Sequence, residues 1–247
     1  MELIGHRGLM AEVPQNTLDS FDAAIRGGLR MIELDSVLAK SGEVMVFHDD
    51  DVDRITRNQA SGSVSSFTYD ELRQLNVHDG FNDGKFYQIP TLVEVIELVD
   101  QLSLELGHRA RINIELKGSS TAKPVAKILT EYLTRGFTHD DFIISSFRHD
   151  ELDHFRKLIP SIDIAVLIDS DQLEDLGDTQ AAIELTKRLG GVAINPGIEF
   201  VSVDLVNEAH LAGLKVNVWT VKTQEHYDAM KTIGVDAVFT NTLKLER

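Results

Sequence analysis

The sequence contains no cysteine, few basic residues for its number of acidic ones, and no long hydrophobic run. Without cysteine the chain forms no disulfide, thiolate nucleophile or cysteine-ligated zinc site, so any metal must be bound by oxygen or histidine nitrogen. The 24 Lys and Arg residues against 40 Asp and Glu residues give a formal net charge of −16, which excludes nucleic acids and anionic membrane surfaces as expected partners. No apolar run approaches the roughly 20 residues that cross a bilayer, so we expect no stable membrane insertion. A secretory signal pattern is also missing, and we expect a cytoplasmic protein.

Short apolar runs alternate with longer amphipathic stretches along the 247 residues. Eight apolar runs, from ELIGH to AVFTN, predict strands, and seven amphipathic stretches predict helices. Because these strands are apolar enough to be buried on both faces, the pattern predicts an α/β fold, a (β/α)₈ TIM barrel. Thr91 and Glu94 predict a capping box at the start of one helix. No shift in composition marks a domain boundary, so we expect a single domain over residues 1–247.

The segment from about residue 50 to residue 90 interrupts this alternation. It is too long for an ordinary loop, rich in Gly and Ser, and polar enough that we do not expect it to contribute core. A second β segment that ends at His48 precedes it, and a short helix over 68–75 is expected within it. In a TIM barrel, an insertion after the second strand would lie over the carboxyl ends of the strands, where active sites form.

Charged side chains occur within two of the predicted strands. Side chains alternate between the two faces of a strand, so Glu33 and Asp35 share one face of MIELDSV, and Glu115 and Lys117 share one face of INIELKG. The three carboxylates would repel one another, and they form an oxygen cluster suited to a hard divalent cation such as Mg²⁺ or Ca²⁺. The alternative is that each pair faces water on a half-exposed strand.

Two histidines stand at the predicted ends of strands: His6 follows LIG and His48 follows VMVF. An imidazole titrates near neutral pH, so each is a candidate proton donor or acceptor, and the alternative is a structural hydrogen-bonding role. Arg7, next to His6, offers planar donors suited to a phosphate, and Lys117 adds a point charge near the acidic cluster.

Seven short motifs follow one another along the chain: HRG at 6–8, PQNT at 14–17, IELD at 32–35, VFHD at 46–49, IELK at 114–117, ISSF at 144–147 and VWT at 218–220. In order and spacing they resemble the glycerophosphodiester phosphodiesterase family of TIM-barrel hydrolases, over residues 4–241. The resemblance implies metal-dependent hydrolysis of glycerophosphodiesters to glycerol 3-phosphate and an alcohol. The expected partner is then a small-molecule glycerophosphodiester, and a homo-oligomeric state is left open.

The resemblance also implies a role for each candidate residue. One divalent ion, Mg²⁺ or Ca²⁺ with Mn²⁺ as an alternative, would be bound by Glu33, Asp35 and Glu115. The acid/base pair would be His6 and His48. Arg7 and Lys117 would neutralise the phosphate. Trp219, near the end of the seventh strand, would offer an apolar wall to the glycerol carbons, and its alternative is packing between the barrel and the helices.

Two positions depart from the pattern that is usual in the family. Gln15 stands where members usually have the Glu of PENT, and Asn241 stands where members commonly have Asp. We expect neither change to touch the metal ligands or the two histidines, and therefore expect an active enzyme. One alternative is a lysophospholipase D-type phosphodiesterase, which would favour an exposed apolar lip on the insertion. The other is a catalytically silent barrel that binds a phosphorylated ligand.

Overall fold

The strands form at the apolar runs of the sequence, and each of them is buried over more than half of its residues. The structure is a computed structural model that describes residues 1–246. The predicted domain ends at Arg247, which lies outside the described residues. The strands are β1 (Glu2–Gly5), β2 (Met31–Leu38), β3 (Val44–Val46), β4 (Arg111–Leu116), β5 (Phe142–Ser146), β6 (Asp163–Ile168), β7 (Ala193–Pro196), β8 (Lys215–Val221) and β9 (Ala237–Thr240).

Amphipathic helices connect these strands. They are α1 (Leu18–Arg26), α2 (Tyr69–Leu72), α3 (Leu92–Leu106), α4 (Ala122–Thr134), α5 (His149–Leu158), α6 (Ser170–Leu176), α7 (Thr179–Arg188), α8 (Val203–Leu211) and α9 (Gln224–Ile233). At the start of α3, the Thr91 side chain accepts from the Glu94 backbone N–H and Glu94 accepts from the Thr91 backbone N–H, which confirms the predicted capping box. Helix α6 is an addition to the seven helices expected. Within residues 1–246, every helix is too short or too polar to traverse a bilayer.

Eight parallel strands close into a barrel. The hydrogen-bonded order is β1-β9-β8-β7-β6-β5-β4-β2, and a parallel pairing of β1 with β2 completes the circle. The predicted TIM barrel is confirmed. Strand β3 stands outside the circle because it pairs antiparallel with the end of β2. The expected second β segment is therefore a hairpin arm that ends at Val46, and His48 lies two residues beyond it.

The insertion after β2 has a hydrophobic core of its own, so the expectation that it is too polar to contribute core is wrong. This second cluster contains Ala39, Met45, Phe47, Val52, Ile55, Val64, Leu72, Leu75, Val77, Tyr87 and Ile89, all buried. The apolar residues are spread through a polar segment without a regular period, which is why the sequence pattern hides them. The expected short helix is present as α2, with Thr68 as its N-cap.

Two backbone contacts fix the insertion to the barrel. The Phe47 N–H donates to the Asp35 carbonyl at 3.0 Å, and the Val46 N–H donates to the Pro90 carbonyl at 2.8 Å. Both ends of the segment from 47 to 90 therefore meet beside the carboxyl end of β2. This anchoring brings residues of the insertion next to residues at the carboxyl ends of the barrel strands.

Candidate active site

Three carboxylates meet at the carboxyl ends of β2 and β4. Asp35 and Glu115 are opposite one another in the parallel register of the two strands, and Glu33 lies two residues before Asp35 on the same face. One oxygen of each carboxylate lies within 4.8 Å of the others. The side chains are buried, with Glu33 4%, Asp35 1% and Glu115 8% exposed, which excludes the alternative that these charges face water on half-exposed strands.

The electrostatics of this cluster are those of crowded negative charge. Burial raises the pKa of Glu33 well above its usual range, and the charge of Asp35 raises it further. Burial and Asp35 likewise raise the pKa of Glu115 to about 7. Burial acts in the same direction on Asp35, but the positive charges of Arg7 and of neighbouring groups outweigh it, so the pKa of Asp35 is lowered.

The donor set fits a hard divalent cation. The cluster offers oxygen ligands only, as Mg²⁺ and Ca²⁺ prefer. Asp35 Oδ1 is buried and has no hydrogen-bond partner, which is costly for a carboxylate oxygen unless a cation contacts it. A cation would also relieve the mutual repulsion that raises the pKa values of Glu33 and Glu115.

Arg7 follows β1 and contacts the acidic cluster with both its backbone and its side chain. Its backbone N–H donates to Glu33 Oε2 at 2.9 Å, and its Nε lies 3.3 Å from Asp35 Oδ2. The turn that allows this puts Arg7 at φ +54° and Gly8 at φ +83°. A Cβ on residue 8 would lie 2.3 Å from Ser20 Oγ, so glycine is required there by the packing of the turn against α1.

His6 is oriented by a residue from the far end of the chain. Its Nδ1 is 2.7 Å from Asn241 Oδ1, and because a carbonyl oxygen only accepts, Nδ1 carries the proton and Nε2 is left with a free lone pair. Burial, and next the positive charge of Arg7, lower the pKa of His6 to about 3. The imidazole is therefore neutral at physiological pH. The expectation that the departure at Asn241 leaves both histidines untouched is wrong.

His48 has a carboxylate as its partner. Its Nδ1 is 2.9 Å from Asp49 Oδ1, and Arg54 binds the same carboxylate through Nε at 2.8 Å and through Nη2 at 3.1 Å. Burial acts to raise the pKa of Asp49, but the hydrogen bonds from His48 and Arg54 outweigh it and lower the pKa. Asp49 is therefore ionised and bonded to the imidazole of His48.

A cavity of about 120 Å³ lies between the two histidines. Its polar lining residues include His6, Arg7, Glu33, His48 and Glu115. Its apolar lining residues are Phe147, Leu167, Trp219 and Phe239. Trp219 donates from Nε1 to the Asn195 carbonyl at 2.9 Å, and its ring meets Phe147 edge to face with centroids 5.4 Å apart. Trp219 is thus packed against the barrel and lines the cavity at the same time.

Two of the eight predicted site residues do not line this cavity. Asp35 contacts Arg7, which does line the cavity. Lys117 Nζ is 3.7 Å from Glu115 Oε1, and Lys117 lines a neighbouring cavity of about 240 Å³ together with Asp49 and Arg148. The structure therefore brings six predicted residues into one cavity and leaves Asp35 and Lys117 directly beside it.

Sequence reasoning assigned no role to four residues that hold the site together. Asn241 bonds His6, Asp49 bonds His48, Arg54 bonds Asp49, and Asp79 bonds Arg54. The motif VFHD does contain Asp49, and its place directly after a candidate histidine is the signal that would have found it. Gln15, noted in the sequence as a departure, still accepts from Arg7 Nη1 at 2.7 Å.

The fold and the site together define a TIM-barrel protein with a buried acidic cluster beside two histidines, and comparison with known proteins agrees. Residues 6–245 match the model of the glycerophosphoryl diester phosphodiesterase family. A glycerophosphodiester phosphodiesterase from Bacillus altitudinis is 32% identical over 245 residues, which cover 97% of this chain and 94% of that protein. The chain belongs to the glycerophosphoryl diester phosphodiesterase family, which confirms the resemblance and the enzyme class predicted from the sequence.

Solved structures agree on the fold. A phosphodiesterase from Oleispira antarctica, in complex with the product sn-glycerol-3-phosphate, superposes with a TM-score of 0.81 at 26% identity and covers 98% of this chain and 93% of its own. A glycerophosphodiester phosphodiesterase from Thermotoga maritima superposes with a TM-score of 0.74 at 27% identity and covers 97% of this chain and 93% of its own.

Proposed function

We propose that this enzyme hydrolyses small glycerophosphodiesters to glycerol 3-phosphate and an alcohol, with the help of one divalent metal ion. The observation that supports this most directly is the cavity in which a buried acidic cluster, an arginine and two histidines meet in a chain of this family. The relative from Oleispira antarctica contains sn-glycerol-3-phosphate as its product, which is the product expected of this reaction.

Glu33, Asp35 and Glu115 would hold the metal ion, which we propose to be Mg²⁺ or Ca²⁺, with Mn²⁺ as an alternative. The buried Asp35 Oδ1 without a partner and the crowding of three carboxylates support this assignment. When bound, such an ion polarises a phosphoryl oxygen and stabilises the charge that develops in the transition state. Arg7 adds planar donors beside Glu33 and Asp35, and Lys117 adds a second positive charge beside Glu115.

The two histidines take opposite roles in this scheme. His6 is neutral with a free Nε2, so it accepts the proton of the attacking hydroxyl as that oxygen forms its bond to phosphorus. His48 donates a proton to the alkoxide oxygen when the other phosphorus–oxygen bond breaks, and its partner Asp49 stabilises the protonated imidazole. The attacking hydroxyl belongs either to water or to the 2-hydroxyl of the glycerol, which would form a cyclic phosphate that water then opens.

The apolar lining residues of the cavity would contact the glycerol carbons. Trp219 and Phe147 form an edge-to-face pair there, and Leu167 and Phe239 lie beside them. A wall of this kind orients a three-carbon chain without binding it through charge. We therefore propose Trp219 as a substrate-binding residue.

A lysophospholipase D-type activity receives little support from the insertion. Its expected apolar lip consists of Phe67, Tyr69, Phe81, Phe86 and Tyr87. Only Phe86 is well exposed, at 56%, and it lies beside Asp19 and Arg73 rather than at the cavity between the histidines. A silent barrel that binds a phosphorylated ligand is also unsupported, because no candidate histidine or metal ligand is missing.

The test is release of glycerol 3-phosphate from glycerophosphocholine and glycerophosphoethanolamine by metal-stripped protein, with Mg²⁺, Ca²⁺ or Mn²⁺ added back separately. We expect no release without metal and release with at least one of the three ions. Folded protein that releases nothing with any metal would overturn the proposal and favour the silent barrel. Release in the presence of a chelator would overturn the metal requirement alone.

A further inference from the structure

A continuous run of hydrogen bonds crosses from the barrel to the insertion above the cavity, and it begins at Arg7. The Arg7 Nη1 donates to Gln15 Oε1 at 2.7 Å, and Gln15 Nε2 donates to Asp79 Oδ2 at 2.8 Å. Gln15 and Asp79 are 64 residues apart in the chain, and both are shielded from water, with Gln15 2% and the Asp79 side chain 8% exposed. An amide thus links the arginine of the site to a carboxylate of the insertion.

The same carboxylate continues the run toward the second histidine. Asp79 Oδ1 accepts from Arg54 Nη1 at 3.0 Å, and Arg54 binds Asp49, which bonds His48. Arg54 is 60% exposed, so its ion pairs alone are weak. The bond between the shielded Gln15 and Asp79 is less screened by water than the ion pairs of Arg54.

We propose that Asp79 is a positioning residue that holds Arg7, through Gln15, and His48, through Arg54 and Asp49, at a fixed separation across the cavity. The inference rests on the proposed function, in which Arg7 binds the phosphate and His48 donates a proton. Each oxygen of the Asp79 carboxylate serves one side of the site. The insertion is thus a part of the phosphate-binding apparatus and not only a cover over it.

The carboxylate of Asp79 explains why residue 15 is glutamine and not glutamate. With glutamate at position 15, a carboxylate oxygen would face Asp79 Oδ2 at about the 2.8 Å now bridged by an N–H donor, and neither group could gain enough water to offset the repulsion. Glutamine keeps the acceptor that Arg7 needs and supplies the donor that Asp79 needs. The departure from the usual PENT motif is therefore matched to an acidic residue of the insertion.

This matching can be tested by exchanging the amide of residue 15 and the carboxylate of residue 79. The variants are Gln15→Glu, Asp79→Asn and the double variant, in which the new amide at position 79 would donate to the new carboxylate at position 15 and still accept from Arg54. Asparagine suits position 79 because that residue has a φ of +41°, a region that Asp and Asn tolerate better than most residues. For each variant we would measure kcat and KM on glycerophosphocholine, the Kd of glycerol 3-phosphate by calorimetry, and the Tm.

We expect each single variant to lose about 10–100-fold in kcat/KM, which is the range typical of residues that orient the groups in contact with a ligand. We also expect each to bind glycerol 3-phosphate more weakly. The double variant is expected to recover to within about threefold of the original protein, because Arg7 again donates to residue 15 and the bond between residues 15 and 79 returns with donor and acceptor exchanged. A residue that merely stabilised the insertion would change the Tm without this recovery of Kd.

Asp83→Asn is the matched control. Asp83 lies in the same insertion and accepts from the Tyr87 hydroxyl at 2.5 Å and the Lys85 N–H at 3.1 Å, with no link to Arg7 or His48. We expect its Kd and kcat/KM to remain within about twofold of the original values, since general loosening of the insertion is not what the site depends on.

Single variants that bind and turn over like the original protein would overturn the inference, as would a double variant whose loss equals the product of the two single losses. Failure of the proposed function looks different: the unmodified protein would then release no glycerol 3-phosphate from any diester. In that case the Tm values of the original protein, the two single variants and the double variant still test the pairing of Gln15 with Asp79. A change in Tm for the double variant equal to the sum of the two single changes would overturn it.

Discussion

The floor and the rim of the cavity use charge in opposite ways. The floor consists of the three strand carboxylates Glu33, Asp35 and Glu115. The rim consists of the insertion residues Asp49, Arg54 and Asp79. On the floor, like charges crowd together and one buried oxygen lacks a partner. On the rim, each carboxylate contacts a guanidinium. Arg7 and Lys117 offset part of the floor's charge, but the crowding and the oxygen without a partner favour the proposed cation there, whereas the guanidinium contacts of the rim fix geometry.

Removing one carboxylate of the floor is expected to have the largest effect. Glu115→Gln keeps the size of the side chain and removes a ligand charge, so metal affinity and turnover should fall together. A bound metal supplies several kcal/mol to such a transition state, so we expect a loss of about 10³-fold in kcat/KM. Bound metal is measured by equilibrium dialysis and turnover by release of glycerol 3-phosphate.

Glu131→Gln, at an exposed glutamate of α4, is the control for this variant, and we expect it to leave metal content and rate unchanged. Normal metal content and normal rate in Glu115→Gln itself would contradict the three-carboxylate site.

The next largest effect is expected from the two histidines. His6→Ala removes the proposed base, which follows barrel strand β1, and His48→Ala removes the proposed acid, which bonds Asp49 of the rim. Loss of a general acid or base costs about 10²–10⁴-fold, so each variant should lose at least about 10²-fold in kcat with unchanged far-UV circular dichroism. His154→Ala, at an exposed position of α5, is the control. Near-normal turnover in either site variant would remove that histidine from the mechanism.

The crowding on the floor also predicts how the stability of the metal-free protein depends on pH. The pKa of Glu115 is about 7 in the folded chain against an ordinary value of 4.5, so the fold favours the protonated form. The resulting stability is complete below about pH 4.5 and is lost as the pH rises through about 7. We expect the Tm in the presence of a chelator to fall by several °C between pH 5 and pH 8.

The matched measurement for this prediction is the same pH series on Glu115→Gln, where the fall in Tm should be smaller because the titrating group is gone. A Tm that rises with pH in the metal-free protein, or the same fall in both proteins, would contradict the assignment.

The regular part of the molecule could be predicted from the sequence, and the rim could not. Period-two alternation is a local property, so it places Glu33 and Asp35 on one face of β2, and parallel pairing then brings Glu115 beside them. The rim depends on the pair of Gln15 with Asp79, 64 residues apart, and the orientation of the barrel histidine His6 depends on Asn241, 235 residues away. Such pairs depend on the conformation of loops, which the local alternation of polar and apolar residues does not predict.

The smallest expected effect comes from changing the hydrogen-bond partner of His6 from an amide to a carboxylate. Asn241→Asp would give His6 a carboxylate partner, as His48 has in Asp49. A negative charge at this position raises the pKa of His6 from its value of about 3, because it stabilises the imidazolium. The base must be unprotonated, so the acidic limb of kcat/KM should move to higher pH, with turnover at neutral pH within about threefold of the original. Asn241→Ala, which removes the acceptor without adding charge, should lower the rate without that upward shift. An acidic limb that stays in place in Asn241→Asp would mean that His6 is not the base, and the contrast between the two histidines would then have to rest on orientation alone.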